Sequence, residues 1–228
     1  MAVAVQGNRH EAVVNEKQVM QALWIVFAVA AVGLGFQFRD QLEGIFAGRG
    51  KLTVTEESGT VWLRWRGAIE APLHARLEEV FRAHQGGGRF VLSLASPGGK
   101  VDHGGDVVRL IKAMQRTHSI DTVVEARGVC ASMCVPVFLA GAHRSASPTA
   151  RFMFHEVSFR DAVTDKRNEV PERAIERGTD QLFERYFRPA GVDELWIADM
   201  RKAMRGRDVW RTGAELVDER SGIVQRLE

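Results

Sequence analysis

The chain has 228 residues with 31 Lys+Arg against 29 Asp+Glu, and 45% of its side chains are hydrophobic. That length and composition suit one globular core plus an appendage. The near-even charge excludes the one-sided basic excess of a nucleic-acid binder, and arginines scattered among acids read as solvated surface.

Residues 1–17 form a polar tail. Residues 18–38, Gln18 to Phe38, contain no charged side chain. As a helix this run spans about 30 Å, the thickness of a bilayer core, and Trp24, Phe36 and Phe38 suit its two interfaces. The run is longer than the apolar core of a signal peptide, and no small-x-small cleavage site follows it, so a retained transmembrane helix is expected. Arg9 and Lys17 before it and Arg39, Arg49 and Lys51 after it leave orientation undecided by charge. The short tail and large following domain favour tail inside and domain outside. Residues 39–51, with Gly44, Gly48 and Gly50, read as a linker to a domain over 52–228.

Leu52 to Thr55 and Val61 to Trp65 alternate in the manner of strands. Pro72 opens a helix to about His84, stopped by Gly86-Gly87-Gly88. Phe90 to Leu94 is an apolar strand ending in Ser96-Pro97-Gly98-Gly99. Val107, Val108, Leu110, Ile111 and Met114 mark a helix to about Arg116. Asp121 to Ala126 reads as a strand, Ala131 to Ala140 as a helix, and Arg151 to Phe154 as a strand with His155 at its end. Residues 157–170 read as a loop. Helices over Pro171 to Phe187 and Val192 to Met204 follow. A short strand over Asp208 to Trp210, a helix over Thr212 to Glu219 capped by Thr212, and a strand over Gly222 to Val224 complete the chain. Strands alternating with helices mean an α/β fold with a mostly parallel sheet, whose ligands gather at the carboxyl ends of strands. Gly98-Gly99, Ser132 and His155 each follow a strand.

Taken singly, each motif is weak. A glycine pair is commonly a turn, a serine before a helix commonly a cap, and a lone histidine commonly structural. Together they supply the parts of acyl transfer: backbone N–H groups for an oxyanion, a hydroxyl nucleophile on a turn of small residues, and a base. The chain's two cysteines, Cys130 and Cys134, flank Ser132. Two thiols cannot complete a structural zinc site, so no metal is expected. Two buried thiols and a disulfide both fit. Positions four apart on a helix lie about 6 Å apart, near the upper edge for a bridge, and a turn at Cys130 would ease closure.

Three ordered motifs carry a family resemblance: Ser96-Pro97-Gly98-Gly99, then Gly128-Val129-Cys130-Ala131-Ser132-Met133-Cys134, then Pro148-Thr149-Ala150-Arg151-Phe152-Met153-Phe154-His155. They resemble the Clp-type serine peptidases, whose Clp/crotonase fold repeats ββα units. The resemblance covers about Gly67 to His155 and extends faintly to Val224. It implies Ser132 as nucleophile, His155 as general base and an oxyanion hole at Gly99 and Met133, with Gly98 beside them. It implies no cofactor, a peptide or protein substrate, and homo-oligomerisation through the late helices. The family's third triad member is an aspartate whose position falls on Met204. Asp208, with Asp161 or Asp165 as alternatives, is the expected substitute, and a Ser–His dyad is the other possibility. Lys166 would serve a Ser–Lys pair, but it lies in no matching motif. The cysteines resemble a periplasmic branch with Cys-x-Ser-x-Cys at the nucleophile. That implies a single-pass protein of the inner (cytoplasmic) membrane with its domain on the periplasmic side. Alternatives are a catalytically incomplete binding or scaffold module and a crotonase-type acyl-CoA enzyme indifferent to Ser132.

Overall fold

A computed structural model describes residues 50–84, 88–159 and 169–228. The tail 1–17, the expected transmembrane segment 18–38 and most of the linker 39–51 lie outside the described residues. No helix among the described residues is long and apolar enough to cross a membrane.

Strands β1 (Lys51–Glu57) and β2 (Thr60–Arg66) form an antiparallel hairpin. Its two-residue turn, Ser58-Gly59, has both φ values positive, the geometry whose twist matches paired strands. Alternation on β2 buries Val61, Leu63 and Trp65. Helix α1 (Ala71–Ala83) starts with Pro72 in its first turn and turns Leu73, Leu77 and Phe81 onto the sheet. Strand β3 (Arg89–Ala95) is buried from Phe90 to Leu94, the continuous apolar run of a central parallel strand.

Helix α2 (Val101–Met114) begins six residues before the Val107 that marks it in the sequence. Gly104 and Gly105 hide its first turns, since glycine is a poor helix former. Packing overrides propensity there: a Cβ on Gly104 would lie 2.4 Å from Met133 Cγ. After β4 (Ser119–Val124), the expected helix over Ala131 to Ala140 divides. Strand β5 (Val129–Ala131) comes first, and α3 (Cys134–Leu139) is six residues long. Strands of three residues, such as β5 and β6 (Arg144–Ala146), are too short to show a period. Strand β7 (Arg151–Phe154) lies where expected.

The expected helix over Pro171 to Phe187 is α4 (Glu172–Leu182) followed by a π turn (Phe183–Phe187) and a 3-10 turn (Arg188–Ala190). The wider turn lets Phe183 and Phe187 stack at 4.3 Å. Helix α5 (Glu194–Ala203), strand β8 (Val209–Thr212) and helix α6 (Gly213–Asp218) follow. Thr212 and Glu215 cap α6 reciprocally, and the two Thr212 donors hold the Glu215 carboxyl below its usual range. The last strand is not Gly222 to Val224 but β9 (Arg226–Leu227). Gly222 turns the chain at φ 75°, and Ile223 and Val224 are buried without strand pairing.

One mostly parallel sheet was the expectation; the strands divide into two. The larger runs β1-β2-β3-β4-β6-β9, all parallel except the β1 edge. The smaller runs β5-β7-β8, with β5 and β7 parallel and β8 antiparallel. A single bridge from Ser96, just past β3, to Cys130 joins the sheets. Gly98-Gly99 therefore follows a strand of the large sheet, while Ser132 and His155 lie just past adjacent strands of the small one.

Arg144 is 6% exposed and pins the C-terminal segment. It donates to Ile223 O at 3.0 Å, Gly222 O at 2.9 Å and Ala190 O at 3.0 Å. Burial pulls its guanidinium pKa below the usual arginine value. Arg144→Met leaves these carbonyls without their partner and should cost about 3 kcal/mol in denaturant unfolding, whereas a loss under about 1 kcal/mol would mean water replaces it.

Candidate active site

Strands β5 and β7 run in parallel register, Val129 opposite Arg151, Cys130 opposite Phe152 and Ala131 opposite Met153. Both end at the same level, so the residues just past them meet. His155 Nε2 and Ser132 Oγ lie 2.7 Å apart, and both residues are half-buried. With the imidazole proton on Nδ1, Nε2 accepts from the serine hydroxyl. That is the arrangement a base needs to take a proton as the oxygen attacks.

Ser132 has φ 53°, a left-handed conformation that costs a non-glycine residue about 1–2 kcal/mol. It is held from both sides. Its N–H donates to Met153 O at 2.9 Å, and its C=O accepts from Val135 N at 2.9 Å. Cys130 and Cys134 are joined in a disulfide with Cα atoms 5.2 Å apart, and among the described residues neither thiol is free. The sharp turn is followed by Met133, which is buried with its side chain against Gly104 of α2.

The glycine loop comes against this turn. Gly98 has φ 100°, and a Cβ there would lie 2.7 Å from Ser132 Cβ, 2.8 Å from Ala131 O and 3.3 Å from Met133 N. Only a glycine lets the two backbones approach so closely. Gly99 pairs in parallel with Ile69. Ile69 N–H donates to Gly98 O at 2.7 Å, and Lys100 N–H donates to Ile69 O at 3.2 Å. That pattern engages the flanking peptides and turns the N–H of Gly99 itself away from Ile69. Among the described residues, neither Gly99 N–H nor Met133 N–H has a protein acceptor. Two free N–H groups beside a hydroxyl–imidazole pair match the requirement of an oxyanion hole.

Of the residues singled out in the sequence, Ser132, His155, Gly98, Gly99 and Met133 thus converge. Asp208 is not hydrogen-bonded to His155. The β7–β8 register, Phe154 opposite Val209, carries it one residue past the last pair, and its side chain is exposed. Among the described residues no carboxylate bonds to His155. Asp161, Asp165 and Lys166 lie outside the described residues. Met204, on which the resemblance would place an aspartate if Trp210 is aligned with the family's aromatic, is 1% exposed and packs in the core.

Sequence reasoning missed the supporting backbone. Met153 sets the serine turn through its carbonyl, a role that no side-chain type announces. Glu156 Oε2 accepts from Gly206 N at 2.9 Å, and Val157 N donates to Thr179 Oγ1 at 3.0 Å, fixing the chain after His155. Phe154 packs edge-on against Trp196 at 5.3 Å beneath it.

The Clp protease family profile matches residues 81–226. The chain belongs to the Clp protease family. Solved structures share its fold. A mutant of the 1510-N membrane-bound stomatin-specific protease is 12% identical, covers 72% of this chain and 77% of its own, and has a TM-score of 0.55. Another mutant of that protease, in complex with a substrate peptide, is 13% identical over 72% of this chain and 73% of its own, with a TM-score of 0.56. A ClpP1 mutant from Listeria monocytogenes is 20% identical over 75% of this chain and 91% of its own, with a TM-score of 0.52. No curated protein matches the sequence.

Gly98→Ala should destabilise the protein by roughly 2 kcal/mol or more, combining backbone strain with the clash against Ser132. Gly59→Ala has φ 73° but nothing within 4 Å of the added Cβ, so it isolates the strain. Equal losses in denaturant unfolding would remove the close approach from the account.

Proposed function

We propose that this Clp-family protein is a serine peptidase that hydrolyses peptide bonds through an acyl-enzyme on Ser132. The carrying observation is the 2.7 Å contact of Ser132 with His155 beside the free N–H groups of Gly99 and Met133. His155 takes the hydroxyl proton as Ser132 Oγ attacks the scissile carbonyl. The two N–H groups hold the developing oxyanion, and the histidine returns the proton to the leaving amine. Water then repeats the sequence on the ester. No metal or cofactor enters these steps.

The orienting carboxylate is not needed for this reading. Because no carboxylate among the described residues accepts from His155, the proposal assigns the acyl step to Ser132 and His155, with Asp161 and Asp165 the remaining candidates for an orienting carboxylate. Substrates are extended peptide segments paired with strand edges near the site. A protein substrate, homo-oligomerisation through α4 and α5, and anchorage through residues 18–38 in the inner membrane with the domain in the periplasm complete the proposal. The anchorage rests on the uncharged run from Gln18 to Phe38. An acyl-CoA enzyme of the crotonase type would have no use for a hydroxyl activated in this way.

A fluorophosphonate probe should label the solubilised protein, with labelling falling at least about a hundredfold in Ser132→Ala and in His155→Ala. Asp208→Asn should change the rate by less than about threefold, and a hundredfold loss there would replace the dyad by a triad. Folded protein that never labels would leave the scaffold reading. For the anchor, the full chain should stay with membranes through an alkaline carbonate wash while residues 50–228 alone stay soluble. Release of both would refute a retained span.

A further inference from the structure

The disulfide has a place in this site that the dyad and oxyanion hole leave unused. Cys130 lies in β5, paired with Phe152 on one side and bridged to Ser96 on the other. Cys134 is the first residue of α3. The bridge therefore ties the strand before the nucleophile to the helix after it, across Ala131, Ser132 and Met133. Both cysteines are fully buried, and so is the apolar helix that Cys134 starts.

The Ser132–Met133 peptide carries the oxyanion N–H. Its nitrogen has no acceptor in the described protein, and its carbonyl is held by Val135 N–H, which belongs to α3. That peptide is therefore tied to α3. Ser132 N–H, on the previous peptide, is tied instead to Met153 O and follows the small sheet. The left-handed φ of Ser132 sits between the two bodies and records their relative position. A covalent link across the turn keeps that position where backbone relaxation would otherwise let Ser132 return to an ordinary φ.

We propose that the Cys130–Cys134 disulfide is a positioning element that holds Ser132 Oγ and Met133 N–H in their reactive arrangement, so that the peptidase is fully competent only when oxidised. This rests on the peptidase reading above. Opening the bridge is a two-electron reduction. Dithiothreitol breaks the S–S bond, leaves two protonated thiols and is itself oxidised to its cyclic disulfide.

The test compares oxidised wild type, dithiothreitol-reduced wild type with its thiols titrated, and Cys130→Ala/Cys134→Ala. Fluorophosphonate labelling rates, turnover of a fluorogenic peptide, melting temperature and hydrogen exchange of residues 128–139 are read for each. The open forms should remain folded at the assay temperature and label at least about tenfold more slowly. Their kcat should fall with KM within about twofold, and exchange at Ser132 and Val135, whose N–H groups are bonded to Met153 O and Ser132 O, should accelerate. Reoxidation of the reduced wild type should restore the rate. A merely stabilising bridge would lower the melting temperature and leave kcat and local exchange unchanged. Open forms that label within about twofold of the oxidised protein with unchanged exchange overturn the proposal. If the double variant fails to fold, the reduced wild type decides; if the reductant cannot open the bridge, the variant decides. If oxidised wild type never labels, the peptidase reading fails, and exchange alone decides whether the bridge positions the turn.

Discussion

The active-site geometry depends on the parallel pairing of β5 with β7. Three paired residues bring two strand ends to one level, and the Ser132 N–H to Met153 O bond carries that register one step past the strands. A slip of one residue would reverse the side-chain alternation of β5 and remove the serine from the histidine. The pairing is short, so its strength comes from what packs behind it. Phe152 and Phe138 meet edge-on at 5.2 Å with both rings buried, and Phe154 rests on Trp196.

A second constraint is steric. Nucleophile turn, glycine loop and α2 converge on Met133. Gly98 approaches its nitrogen, and Gly104 leaves room for its side chain. Methionine suits an irregular gap between helix and turn, and its burial fixes the residue whose N–H has no acceptor among the described residues. The two sheets are joined near this point by the Ser96–Cys130 bridge, so the loop from one sheet completes the site begun on the other. Acyl-transfer chemistry needs such fixed donors, because N–H groups already in place need no reorganisation as charge develops.

Much of this was legible in the sequence. The alternation of Val61, Leu63 and Trp65, the Pro72 helix start, and the apolar run before Gly98-Gly99 each carry a local physical signal, and the order of glycines, serine and histidine carried the site. Three features were not legible. The start of α2 is hidden because tertiary contact with Met133 demands glycines where helix propensity argues against them. β5 and β6 are hidden because three residues cannot show a period. The division into two sheets is hidden because it depends on which strands pair, and pairing is not local. Residue type alone does not identify an orienting carboxylate: register brings Asp208 beside His155, yet its side chain forms no bond there.

The central claim is that Ser132 and the N–H groups of Gly99 and Met133 act on one carbonyl. It is tested most directly by a crystal structure of the protein with a peptide boronate. The account predicts a tetrahedral boron bonded to Ser132 Oγ, with one boronate oxygen within hydrogen-bond distance of both N–H groups and His155 Nε2 facing the other. A boronate bound away from Ser132, or an adduct whose oxygens reach neither Gly99 nor Met133, would contradict it.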